Sequence, residues 1–168
     1  MTITPAEIQL LVEKEISHLQ DARVVAHIRS LLIDPTKVER EWDYGDPGQS
    51  YPCWDILKHV DSNTGIAYCE FGFGPRSPWG LVFLSGENMS IGMDCGWYIS
   101  FVEAYFESKA SADLPIWRVF KYDRDTSSNI AMTDESDSDS TWEEVYRLRS
   151  IDPNGRYNCS HSIQFNRE

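Results

Sequence analysis

Apolar positions in the first third of the chain recur at helical spacing. Ile8, Leu11, Val12, Ile16 and Leu19 fall on one face of a helix, and Val24, Val25, Ile28, Leu31 and Leu32 on one face of a second. Thr4-Pro5-Ala6-Glu7 carries the start signals of the first helix: a capping hydroxyl, a proline suited to the first helical position and a glutamate that completes a capping box. Asp21 caps the second helix and Asp34-Pro35 stops it. The short join between them predicts an antiparallel helix pair.

After Pro35 the period changes to two. Val38, Arg40, Trp42 and Tyr44 alternate with Lys37, Glu39, Glu41 and Asp43, which predicts a strand, and Gly45-Asp46-Pro47-Gly48 breaks it. Further strands are predicted over 51–60, 66–71, 79–84 and 89–93, joined by short turns at 61–65 and 85–88, the pattern of an antiparallel meander. Ser100 and Glu103 form a second capping box ahead of Val102, Tyr105 and Phe106. Residues 115–122 predict a strand, 123–140 a polar irregular loop, and 156–165 a last strand. For 141–150 the face shared by Trp142, Val145, Tyr146 and Arg149 favours a helix, although Trp142, Glu144, Tyr146 and Leu148 also fit a strand. No internal repeat is found. The expected fold is α+β: one domain over 1–168, with an N-terminal helix pair on an antiparallel sheet of about six strands, and one or two further helices.

Charge narrows the possible partners. The 168 residues carry 27 acidic and 15 basic side chains, a net charge of −12. A surface of that sign disfavours binding to nucleic-acid phosphates. The excess is concentrated: residues 123–144 hold eight acids and one base. The plain reading is a solvated acidic loop, and the sharper one a docking strip for a basic protein. On the second reading Asp134, Glu135, Asp137 and Asp139 steer the partner and Trp142 anchors it. No stretch approaches the ~18 apolar residues of a membrane helix. The first nine residues lack a basic segment and a long apolar one, so no secretory signal is expected and the expected location is cytoplasmic.

Candidate chemistry is sparse. Cys53, Cys69, Cys95 and Cys159 include no Cys-x-x-Cys pair, which argues against a zinc ribbon or a thioredoxin-type site and predicts four reduced thiols. Gly92-Met93-Asp94-Cys95-Gly96 approaches a nucleophile elbow but places Cys95 one position late. His59 and Asp61 could share a strand face, yet no third ligand is adjacent, so no metal and no cofactor are expected. A small-molecule enzyme using Cys95, His59, Asp61 or Asp94 therefore stands as an alternative, beside a non-catalytic ligand-binding domain. The stretch Phe71-Gly72-Phe73-Gly74-Pro75-Arg76-Ser77-Pro78-Trp79-Gly80 lacks the Gly-Lys-Ser/Thr of a phosphate loop. It reads as a stiff aromatic connection or as a presented loop, with Arg76 as polar anchor and Phe73 and Trp79 as apolar ones.

The segments Tyr51-Pro52-Cys53-Trp54-Asp55, Asn63-Thr64-Gly65-Ile66-Ala67-Tyr68, Pro78-Trp79-Gly80-Leu81-Val82 and Gly92-Met93-Asp94-Cys95-Gly96-Trp97 resemble small bacterial immunity proteins of polymorphic and contact-dependent toxin systems. The resemblance covers about residues 40–108. It implies a cytoplasmic, non-enzymatic, acidic inhibitor that binds and neutralises a cognate toxin. It carries no residue-level site with it.

Overall fold

The computed structural model describes residues 3–92, 95–114, 117–133 and 137–160. Their contacts gather into two compact units that divide between Ser111 and Ala112. The fold class is α+β in both.

The first unit opens with α1 (Pro5–Ile16) and α2 (Ala22–Leu31). Thr4 caps α1 through a reciprocal capping box with Glu7, and Asp21 caps α2 by accepting from the Arg23 amide. Ile8, Val12, Ile16, Val24 and Ile28 are buried, while Leu11 of the expected stripe is exposed. A five-stranded antiparallel sheet follows in the order β1-β2-β3-β4-β5: β1 (Leu32–Glu41), β2 (Ser50–His59), β3 (Thr64–Tyr68), β4 (Trp79–Phe83) and β5 (Trp97–Tyr98). Then come α3 (Phe101–Glu107), capped by Ser100, and the single turn α4 (Lys109–Ala112). Strand β1 begins directly after α2, so Asp34-Pro35 lies inside a strand and does not stop the helix. The sheet accommodates the proline because β1 is an edge strand whose register slips between Leu32 and Thr36.

The expected strand at 89–93 is not among the described strands. Ile91 makes one parallel bridge to Trp42, Gly92 turns away at φ +141°, and β4 pairs instead with Trp97 and Tyr98. On the helical side of the sheet, Trp79 packs edge-on against Tyr68 and Phe101. On the other, Cys53, Ala67, Cys69, Val82 and Ile91 form a buried cluster beneath Trp42, Tyr51, Cys95 and Trp97. Each large apolar side chain buried in this way contributes about 1.5–3 kcal/mol. The carboxylate of Glu15 on α1 accepts from the Val102 amide at 2.9 Å, satisfying an N-terminal donor of α3 from a distant part of the chain.

The second unit is a three-stranded antiparallel sheet of order β7-β6-β8 and one helix: β6 (Arg118–Asp123), β7 (Ser128–Ala131), α5 (Ser138–Ile151) and β8 (Tyr157–Ser160). Val119, Val145, Leu148 and Tyr157 form its core, with Trp142 and Cys159 packed partly against it. Residues 141–150 are helical, and the helix that contains them is capped by Asp137. The stretch 123–140, expected to be irregular, contains β7 and the first turn of α5.

Candidate functional site

The residues singled out in the sequence belong to both units. Asp134, Glu135 and Asp94 lie outside the described residues. Asp137 is the α5 cap: its carboxylate accepts from the Ser140 amide at 2.9 Å and hydroxyl at 2.6 Å. Those bonds, the hydroxyl first, hold the Asp137 carboxyl below the usual carboxylate range. Asp139 is exposed in the first turn of α5. Trp142 tilts against Tyr146 at 5.8 Å between ring centroids and is partly committed to the core of its unit. Arg76 is exposed on the loop between β3 and β4, as expected. Trp79 corrects the expectation of a surface anchor. It is only 2% exposed, because it opens β4 with its ring turned toward α3.

The alternative chemistry is dispersed. His59 is buried at the end of β2, with Nδ1 2.6 Å from the Ser62 hydroxyl, which in turn lies 2.6 Å from the Thr64 hydroxyl. It lines a cavity of about 230 Å³ with Leu57, Leu81, Phe83, Glu107 and Lys109. Cys95 does not line that cavity; its thiol points at the Ser90 carbonyl, 3.7 Å away. Asp61 is exposed. Cys53 and Cys69 face each other across adjacent strands. Both are buried, and each thiol donates to a backbone carbonyl at 3.7 Å, Cys53 to Tyr51 and Cys69 to Pro52. The neighbouring Cys69 thiol and burial push the Cys53 thiol far above the ordinary range. Among the described residues no three His, Cys, Asp or Glu side chains converge as a metal-ligand set. No described helix is long and apolar enough to cross a membrane.

What the fold does bring together is a set of six aromatic rings. Trp42 leaves β1 into the turn that ends at β2, with its amide donating to the Gln49 carbonyl at 2.8 Å. Its ring meets Tyr44 at 5.2 Å, Phe73 at 5.2 Å and Tyr51 at 5.9 Å between centroids. Phe71 stacks on Tyr51 at 5.2 Å and 19°. Phe73 also reaches Tyr44 at 6.1 Å and Trp97 at 5.7 Å. The edge-on and offset geometries are those in which the positive rim of one ring meets the negative face of another.

Two features hold the rings in place. The loop carrying Phe71 and Phe73 is closed at its base by the Cys69 amide donating to the Pro78 carbonyl at 2.8 Å. Within it the Gly74 amide donates to Phe71 and the Ser77 amide to Phe73, both at 3.1 Å. Gly72, at φ +67°, lies so close to the Trp42 ring that a Cβ there would come within 2.8 Å of it. Glycine is therefore required twice over, for the backbone and for the approach.

The cluster beneath the rings is buried, the inner rings Trp42, Tyr51 and Trp97 are half-buried, and the outer rings are exposed. Tyr44 is 58% exposed, Phe71 41% and Phe73 40%. Sequence reasoning placed Phe73 and Arg76 on a presented loop but missed Trp42, Tyr44, Tyr51, Phe71 and Trp97 as its neighbours. The signal for Trp42, Tyr44, Tyr51 and Phe71 was the density of aromatics in two segments about twenty residues apart, and Trp97 lies outside both. Comparison with protein-family models, with curated proteins and with solved structures finds no match to the chain.

Proposed function

We propose that the protein is a non-catalytic protein-binding module, a cytoplasmic immunity protein that neutralises a cognate bacterial toxin, with the six-ring surface as its principal contact. The observation that carries this reading is the exposure of Phe71 and Phe73 on a hydrogen-bonded, preorganised loop, with Tyr44 exposed beside them on the turn between β1 and β2. Large aromatic groups in a rigid frame lose little conformational entropy on binding and supply most hot-spot energy. The net charge of −12 supports a basic partner, whose approach it would accelerate. The resemblance of 40–108 to immunity proteins points the same way.

The test begins with the gene directly upstream, which this reading expects to encode a toxin, and co-expresses the two. Growth should be rescued and a stable complex isolated. Tyr44→Ala/Phe73→Ala should lose both. A toxin left active by the wild-type chain would overturn the reading. The alternative, a small-molecule enzyme, draws only on His59 and the cavity beside it. It predicts that His59→Ala abolishes a turnover, while the ring substitutions leave that turnover intact.

A further inference from the structure

We infer that the six-ring surface captures a cationic side chain, an arginine or lysine presented by a basic protein partner, against the outer rings Tyr44 and Phe73. The inference rests on the partner-binding reading and narrows it to one chemistry. Two observations favour a cation over a purely apolar contact.

The first is the kind of surface on offer. Tyr44 and Phe73 are half-exposed, held in mutual contact and fixed from behind by Trp42. The face of each ring carries the negative lobe of its quadrupole, which attracts a guanidinium or ammonium group within about 6 Å. The same attraction is already used in the second unit, where the Arg156 guanidinium lies 5.9 Å from the Tyr122 ring and the Lys121 ammonium 5.4 Å from the Tyr157 ring.

The second is the charge of the segment that carries Trp42, Tyr44 and Tyr51. Residues 41–51 contain Glu41, Asp43 and Asp46 and no base, while in residues 69–78 Arg76 stands against Glu70, whose carboxylate accepts from the Ile3 amide at 3.2 Å. Arg40, next in the chain, is sealed inside the sheet and neutralised by Asp55. An apolar partner gains nothing from a segment of that charge. A cationic one finds both the rings and a compensating charge.

The experiment uses the full chain and two synthetic probes, acetyl-(Gly-Arg)4-amide and its citrulline counterpart, which keeps the shape of arginine without the charge. Binding is followed through the indole N–H signals of Trp42 and Trp97. The arginine peptide should shift both signals and the citrulline peptide neither. Tyr44→Leu/Phe73→Leu keeps the apolar area and the net charge but removes the ring faces. It should weaken the arginine peptide roughly twofold to fivefold per ring. Asp46→Asn should weaken it less and flatten its dependence on salt. Equal binding of the two peptides, or unchanged binding to the leucine variant, would overturn the inference. In that event, a wild-type chain that still binds and silences the toxin leaves the partner-binding reading standing, whereas a toxin left active by the wild-type chain removes that reading too.

Discussion

Arg40 and Asp55 meet across β1 and β2, with Arg40 Nη2 at 3.0 and 3.2 Å from the two carboxylate oxygens and the side chains 0% and 5% exposed. The other guanidinium nitrogen, Nη1, donates to the Phe83 carbonyl at 2.9 Å and the Met89 carbonyl at 3.1 Å. One side chain thus joins two strands to both flanks of the turn after β4. Removing one member of such a pair leaves an uncompensated buried charge, which costs about 3–5 kcal/mol. Asp55→Asn should lower the urea midpoint accordingly. Arg40→Met/Asp55→Leu should recover part of that loss, since an apolar pair leaves no orphaned charge. If Asp55→Asn costs less than about 1 kcal/mol, the pair does not organise this sheet as described.

Gly72 carries both a left-handed backbone and the contact with Trp42. Gly48, at φ +81°, has the backbone constraint with nothing within 4 Å. Each should cost about 1–2 kcal/mol on substitution by alanine for the backbone alone. Gly72→Ala should exceed Gly48→Ala, because the ring must also shift. Thermal unfolding of both variants makes the comparison, and equal losses would show that the ring moves aside freely.

Stability should depend on pH through Glu15. Burial raises its carboxyl above the usual range, against the lowering effect of the Val102 and Phe101 amides that donate to it. The folded protein therefore holds this proton more tightly than the unfolded chain does. The associated stability is complete below the ordinary Glu range and is lost as the pH rises through the folded value. Glu15→Gln keeps an acceptor for the amides and has no proton to lose. Its urea midpoint should rise relative to wild type as the pH is raised from below to well above the ordinary Glu value of ~4.3. A constant gap across that range would mean that Glu15 titrates as in a free peptide.

All four cysteines are free thiols among the described residues. Cys53 and Cys69 are buried, whereas Cys95 and Cys159 are partly exposed. Denatured protein without reductant should yield four thiols. In the native protein Cys95 and Cys159 should react with Ellman's reagent first, with Cys53 and Cys69 reacting only as fast as the unit opens. Mass mapping of the labelled sites decides it, and early labelling of Cys53 would contradict the packing of β2.

Asp137 and Asp139 differ in what they do locally, and the difference can be measured. Asp137→Ala removes the α5 cap and should destabilise the second unit by about 1 kcal/mol. Asp139→Ala should leave stability within about 0.5 kcal/mol, as for an ordinary surface change. Circular dichroism during urea unfolding separates the two.

Local signals in the sequence carried most of the fold. The Thr4–Glu7 capping box, Asp21, the alternation before Tyr44 and the helical face of 141–150 each specify structure within a few residues, and the structure has them. Two misreadings share one cause, which is that partners distant in sequence outweighed the local pattern. Met89 to Met93 has apolar residues at alternate positions, but Ile91 found a lone bridge to Trp42 while β5 took the sheet edge. Trp79 sits beside an exposed loop in sequence, yet the first pleat of β4 turns it inward onto Phe101. The aromatic surface was legible only in halves. Trp42 and Tyr44 lie on one side of a turn and Phe71 and Phe73 on another, and only the β1-β2-β3 pairing brings them together. The acidic stretch was legible as charge, but not as a cap and a turn: Asp123 accepts from the Asp125 amide and the Thr126 hydroxyl, and Asp137 from Ser140.

The bond from the Val102 amide to Glu15 spans 87 positions of the chain. Helix α3 has seven residues, too few to persist alone in water. Its first turn gains this acceptor only when α1 is docked beside it, so the order of α3 is borrowed from a helix at the other end of the unit's sequence. A change that loosens α1 is therefore felt at α3, although no residue of α3 has been touched.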